Sequence, residues 1–97
     1  MITVQARRLL DACEAEVTAA VGAGPGLYGG ASRTWHPAGC QVVVTVHEHA
    51  GSSRPHVEAT VAHHVRGACM SEVETLRCAT CPRRVGRWVA DTIAAVV

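Results

Sequence analysis

The chain contains no lysine, no asparagine and no phenylalanine, so all nine Lys+Arg positions are arginines. The missing residues are those with AT-rich codons, while Ala, Val, Gly and Arg abound. That bias points to a high-GC genome, of the actinobacterial kind or of a virus of such a host. Arginine in place of lysine therefore says little about selected guanidinium chemistry, despite its bidentate geometry. Aromatics are scarce: Tyr28, Trp35 and Trp88. Few rings are on offer for stacking nucleic-acid bases. Charge of one sign is also lacking. A net charge of +1 implies no strong bulk attraction to nucleic acid or to anionic membrane. No apolar run approaches the ~20 residues needed to span a bilayer. The start, MITVQARRLLDACEAE, breaks its apolar positions with charges every few residues, as an amphipathic helix does and a signal peptide does not. Synthesis in a reducing, cytoplasmic compartment is expected. Five cysteines at irregular spacing fit free or metal-bound thiols better than a disulfide scaffold.

What is present reads as one domain over residues 1–97, folded around a core that needs no staple. Ile2, Ala6, Leu9, Leu10, Cys13, Val17, Ala20 and Val21 recur at three- and four-residue steps, which predicts a helix from about Thr3 to Val21, ended by Gly22. A Gly-rich loop follows, at about 22–39. It succeeds a helix, so it lacks the strand-before, helix-after context of a phosphate-binding loop. Residues 40–49 and 56–66 alternate as strands around the turn AGSSRP. A register with His49 opposite His56 puts Val42, Val44 and Val46 on one face with Val57, Ala59, Val61 and Val65. Thr45, His47, His49, His56, Glu58 and Thr60 take the other face. Residues 72–78 read as a third strand, with helix as the competing assignment. From Thr80, a suitable N-cap, a closing helix carries Val85, Trp88, Val89, Thr92, Ile93 and Val96 on one stripe. Trp88 is expected to be buried against the sheet, with Arg84 and Arg87 exposed. The expected fold is a two-layer α+β domain: an N-terminal helix, a three-stranded antiparallel meander and a C-terminal helix.

Three clusters bear on chemistry. Cys78 and Cys81 form a Cys-x-x-Cys pair at the junction of strand and helix. The meander brings this junction to the same edge as His47, His49 and His56, so Cys78, Cys81, His49 and His56 could complete a tetrahedral zinc site. One such pair is half a signature, and the plainer reading is two small semi-apolar side chains packed where strand meets helix. A redox pair is a further reading, because a helix start lowers a thiol pKa, but the element order is not that of thioredoxin. Arg83, Arg84 and Arg87 at the same helix start could bind an anion. The order α-β-β-β-α also resembles that of double-stranded RNA-binding domains, yet the total charge is far too low for them. HEH at 47–49 and HH at 63–64 have no Asp nearby, so no catalytic set assembles and no enzyme is expected. Zinc is the one cofactor the residues suggest.

The order of amphipathic N-terminal helix, Gly-rich loop, long antiparallel strands and closing helix resembles small virion assembly proteins of tailed phages, of the tail terminator and head-tail connector type. The resemblance is one of topology and transfers no residue-level site. It implies a non-enzymatic structural protein that forms a ring or other homo-oligomer with further protein subunits, carried into the virion. The alternatives are a small zinc-binding module built on the Cys-x-x-Cys pair and an anion- or nucleic-acid-binding domain using Arg83, Arg84 and Arg87; hydropathy gives no membrane partner, and the low net charge speaks against nucleic acid.

Overall fold

The computed structural model describes residues 2–48, 54–65 and 70–96. Helix α1 (Val4–Val21) begins where Thr3 caps it: the Thr3 hydroxyl accepts from the Ala6 amide at 3.1 Å. It ends at Gly22, whose φ of 79° is the left-handed cap that glycine adopts without strain, its N–H donating to Thr18. Ala6, Leu10, Cys13 and Val17, spaced by four, three and four, are its buried stripe.

Five strands follow, not three: β1 (Leu27–Tyr28), β2 (Ser32–Trp35), β3 (Gln41–His47), β4 (His56–His64) and β5 (Ser71–Ala79). They form one sheet in sequence order, every neighbouring pair antiparallel. The three-strand expectation fails because β1 and β2 lie inside the segment read as a Gly-rich loop. The core-facing positions of β2 are Arg33 and Trp35, and a charge in an apolar slot hides the alternation. Arg33 is nevertheless buried and fully partnered. Its Nε donates to Glu14 at 2.7 Å and its terminal nitrogens to Asp11 (3.4 Å) and to the carbonyls of Ser32 (2.9 Å) and Gly29 (3.1 Å). Its guanidinium also lies 5.0 Å from the centroid of the Tyr28 ring. One side chain thus ties the β1–β2 hairpin to α1. Trp35 beside it is completely buried, its indole N–H donating to the Thr18 hydroxyl at 3.3 Å.

In the β3–β4 hairpin His47, not His49, stands opposite His56. The shift is two residues, so each side chain keeps its expected face. Strand β3 stops at His47 because Glu48 turns to the start of α1. There its carboxylate accepts from the Thr3 amide, at 3.2 Å, and from the Thr3 hydroxyl. Residues 71–79 are a strand, which settles the strand-or-helix alternative at 72–78.

Helix α2 (Pro82–Val96) opens one residue later than a Thr80 cap would set it: the Val85 amide donates to the Cys81 carbonyl at 3.2 Å, so Cys81 holds the cap position and Pro82 the first helical one. Both helices cover the same face of the sheet. Val42, Val44, Val46, Val57, Ala59 and Val61 meet the α1 stripe and Val85 and Val89 of α2 in one core. The helices run parallel, since Gly86 abuts Glu16 while Ala90 and Ile93 share a groove with Ala20 and Val21. Trp88 is half-buried rather than buried. It packs on the core from the β5 side, beside Glu74 and Thr92, where the helix layer ends. Arg84 and Arg87 are exposed, as expected.

Candidate functional site

Because side chains alternate along a strand, the face opposite the helices has its own composition. The pairing registers align one row across all five strands: Leu27, Thr34, Val43, Thr60 and Thr75. None of these is charged. A second row, Gln41, Ala62 and Val73, is uncharged as well. Leu27 is 62% exposed and Val73 59%, among the most exposed large apolar residues described. Charge enters this face only toward one end. There Glu58 forms an ion pair with Arg77 at 3.9 Å, and His47 stacks on His56 with ring centroids 5.5 Å apart. Neither helix reaches this side. Sequence reading assembled Thr45, His47, His56, Glu58 and Thr60 here but missed the contributions of β1, β2 and β5.

Cys78 and Cys81 stand at that same charged end, since Ala79 pairs with Val57, next to His56. Both thiols are exposed. Cys78 occupies a β-bulge: Val57 faces Ala79 and Ala59 faces Leu76, so Arg77 and Cys78 together oppose Glu58. Its φ of 54° is left-handed, uncommon for a residue with a Cβ. His49 lies outside the described residues. Among the described residues, Cys78, Cys81 and His56 do not gather their ligand atoms within 4.8 Å of one another. Cys13 sits behind Cys81 in the core. Burial first, then the nearby Cys81 and Glu16, push its thiol from 9.0 up to about 12, so it stays protonated and unreactive at neutral pH.

Arg83, Arg84 and Arg87 are exposed, and no described carboxylate pairs with them. Arg83 and Arg87 line the groove between α1 and α2 together with Glu16 and Gly86. That carboxylate tempers the groove as an anion site.

One group of potential ligands does converge among the described residues: His63 of β4 with Glu72 and Glu74 of β5, all within 4.8 Å. His63 follows Val61 on the helix-covered face. Its side chain is only 10% exposed, and its buried Nε2 has no hydrogen-bond partner. Leaving such an atom unsatisfied costs about 1–3 kcal/mol. The alternation Val57, Ala59, Val61 was the sequence signal that places His63 on this face.

Among the described residues no helix is long and apolar enough to cross a membrane. Compared with known proteins, the chain matches no protein family, no curated protein and no solved structure.

Proposed function

We propose that this chain is a non-enzymatic assembly protein whose uncovered sheet face docks on further copies of itself, in the manner of the ring-forming head-tail and tail components of tailed phages. The observation that carries the proposal is the uncharged row across all five strands, Leu27, Thr34, Val43, Thr60 and Thr75, in which Thr34 is itself buried and the other four offer the contact surface. A solvated sheet face ordinarily alternates apolar-in with polar-out side chains and keeps charges in water. Interface centres are depleted of charge and ringed by polar residues, and this face has that plan, with Glu58, Arg77 and the histidines at its margin.

A second copy is the fitting partner because the centre has no charge to repel its own image. Two such faces stack as in a β-sandwich, about 10 Å apart. Five strands at ~4.8 Å spacing and about seven residues at ~3.4 Å give a footprint of roughly 500 Å². That is below the ~800 Å² per partner of a standard interface. The contact is therefore of the moderate kind, and because the face meets its own image it closes as a two-fold pair, so a ring requires a second, different contact between such pairs.

Sedimentation velocity over a range of concentrations tests this. Wild-type protein should associate, and Thr60→Arg, which places a cation in the row next to its central Val43, should remain folded by circular dichroism and sediment as a monomer. A wild-type chain that stays monomeric at high concentration overturns the proposal. So does an oligomer that Thr60→Arg and Val43→Arg both leave intact.

A further inference from the structure

We propose that His63, Glu72 and Glu74 bind a divalent transition-metal ion of the zinc type, at a site separate from the Cys-x-x-Cys junction and independent of the assembly role. The register puts Glu72 directly across from His63, and Glu74 two residues further along β5 on the same face. Two carboxylates therefore converge on one imidazole. Among the described residues neither carboxylate has an arginine within ion-pairing distance. Like charges so placed disfavour each other unless a cation lies between them.

The imidazole does not supply that cation's contacts by itself. His63 Nε2 is 3.7 Å from Glu74 Oε1, too far for a hydrogen bond, and it has no other hydrogen-bond partner. It is a buried nitrogen aimed at two carboxylates with a gap between them. Around a tetrahedral ion with bonds of ~2.0–2.2 Å, ligand atoms stand roughly 3.4 Å apart. The His63–Glu74 pair, at 3.7 Å, needs to close by only a few tenths of an ångström, and the other two pairs, within 4.8 Å, by no more than about 1.4 Å, which rotation of the exposed glutamates supplies.

The donor set selects the ion. An imidazole nitrogen suits Zn²⁺, Co²⁺ or Fe²⁺ and is not a normal ligand of Mg²⁺ or Ca²⁺. Two carboxylates beside it are hard enough to leave thiophilic Cu(I) out. Three protein ligands leave at least one coordination position for water, and the exposed side chains of Glu72 and Glu74 open it to solvent. The ion would also clamp the edge strand β5 to β4.

Cobalt reports on this site without confusion from thiols. Cys78→Ser/Cys81→Ser protein is titrated with Co²⁺ alone. Visible d–d bands should rise to one equivalent, without the intense near-ultraviolet sulfur-to-cobalt charge-transfer band, and Zn²⁺ should remove them. His63→Gln should abolish the bands. Glu74→Gln should weaken binding at least about tenfold. Glu74 is half-exposed, so that variant keeps the fold even where His63→Gln disturbs it. No d–d bands, bands with thiolate charge transfer, or a titration unchanged by Glu74→Gln in folded protein would each overturn the assignment.

Discussion

Replacing Gly86 tests how closely the two helices meet. A Cβ built there lies 2.9 Å from the Glu16 Cβ, 3.1 Å from the Glu16 carbonyl oxygen and 3.2 Å from its carbon. Ordinary non-bonded separations are ~3.5–4.0 Å, so the helices must part by roughly 0.5–1 Å. Two of the three atoms are backbone, which cannot swing aside as the end of a side chain can. Parting the helices loosens Val17, Val85 and Val89, all completely buried. Overpacking of this kind costs about 1–3 kcal/mol. Against it stands the helix propensity of alanine over glycine, about 0.8–1 kcal/mol. The clash wins, and Gly86→Ala should destabilise by about 1 kcal/mol net. Gly86→Val adds two methyl groups and a stiff χ1, and should cost about 2–4 kcal/mol. Gly24 is the control, because nothing lies within 4 Å of its Cβ and its φ is not positive. Gly24→Ala should change stability by no more than about +1 kcal/mol, through the unfolded chain. Urea titration of the three variants measures the differences. A Gly86→Ala protein stabilised by the full ~1 kcal/mol of propensity would mean that the helices do not touch there.

Other changes have signs fixed by the same packing. Arg33→Ala removes four hydrogen bonds and leaves the mostly buried Glu14 carboxylate unpaired. It should cost about 2–4 kcal/mol in urea melts, with the exposed Asp11 contributing little. The Cys13 thiol has a folded pKa raised from 9.0 to about 12, so its contribution to stability is complete below pH 9 and is lost as pH rises toward 12. The expected slope is about 1.4 kcal/mol per pH unit in that window, seen as the excess of wild type over Cys13→Val. Under native conditions an alkylating reagent should modify Cys78 and Cys81, which are exposed, and spare Cys13 and Cys40, which are buried, with peptide mapping as the readout.

The elements that repeat their apolar residues at one period were legible from sequence. Helix α1 follows its stripe from the Thr3 cap to Gly22, and β3 and β4 follow strict alternation. Even the misplaced turn left their faces right, because a slip of two residues preserves the pleat. What stayed hidden depends on partners distant in sequence. Arg33 can occupy a core position only because Glu14 and Asp11, on another element, neutralise it. No local window contains that fact. The turn that makes β2 and β3 a hairpin was also muted. Ala38 and Gly39 take φ of 47° and 80°, and the Cys40 amide donates to the Pro37 carbonyl at 2.7 Å. Asn-Gly would have announced such a two-residue turn, and Ala-Gly does not. Full burial falls to Trp35 rather than to Trp88, where it was expected, for a related reason. Trp35 is enclosed beside α1, its indole N–H on the Thr18 hydroxyl, whereas Trp88 lies at the edge of the helix layer, and a helical stripe does not say where the sheet beneath it ends. The open face could be only half assembled without β1 and β2 and without the register of β5. The convergence of His63 with Glu72 and Glu74 needed the β4–β5 register, which no pattern in either strand specifies.

The uncovered sheet face is most directly tested by NMR of methyl groups with a soluble paramagnetic agent, at dilute and at high protein concentration. Val43, Ala62 and Val73 report on the face, and Val4, 68% exposed on α1, is the reference. The face methyls should broaden in dilute protein and become protected at high concentration, while Val4 broadens in both. Face methyls that broaden alongside Val4 at every concentration would contradict the docking of one copy on another.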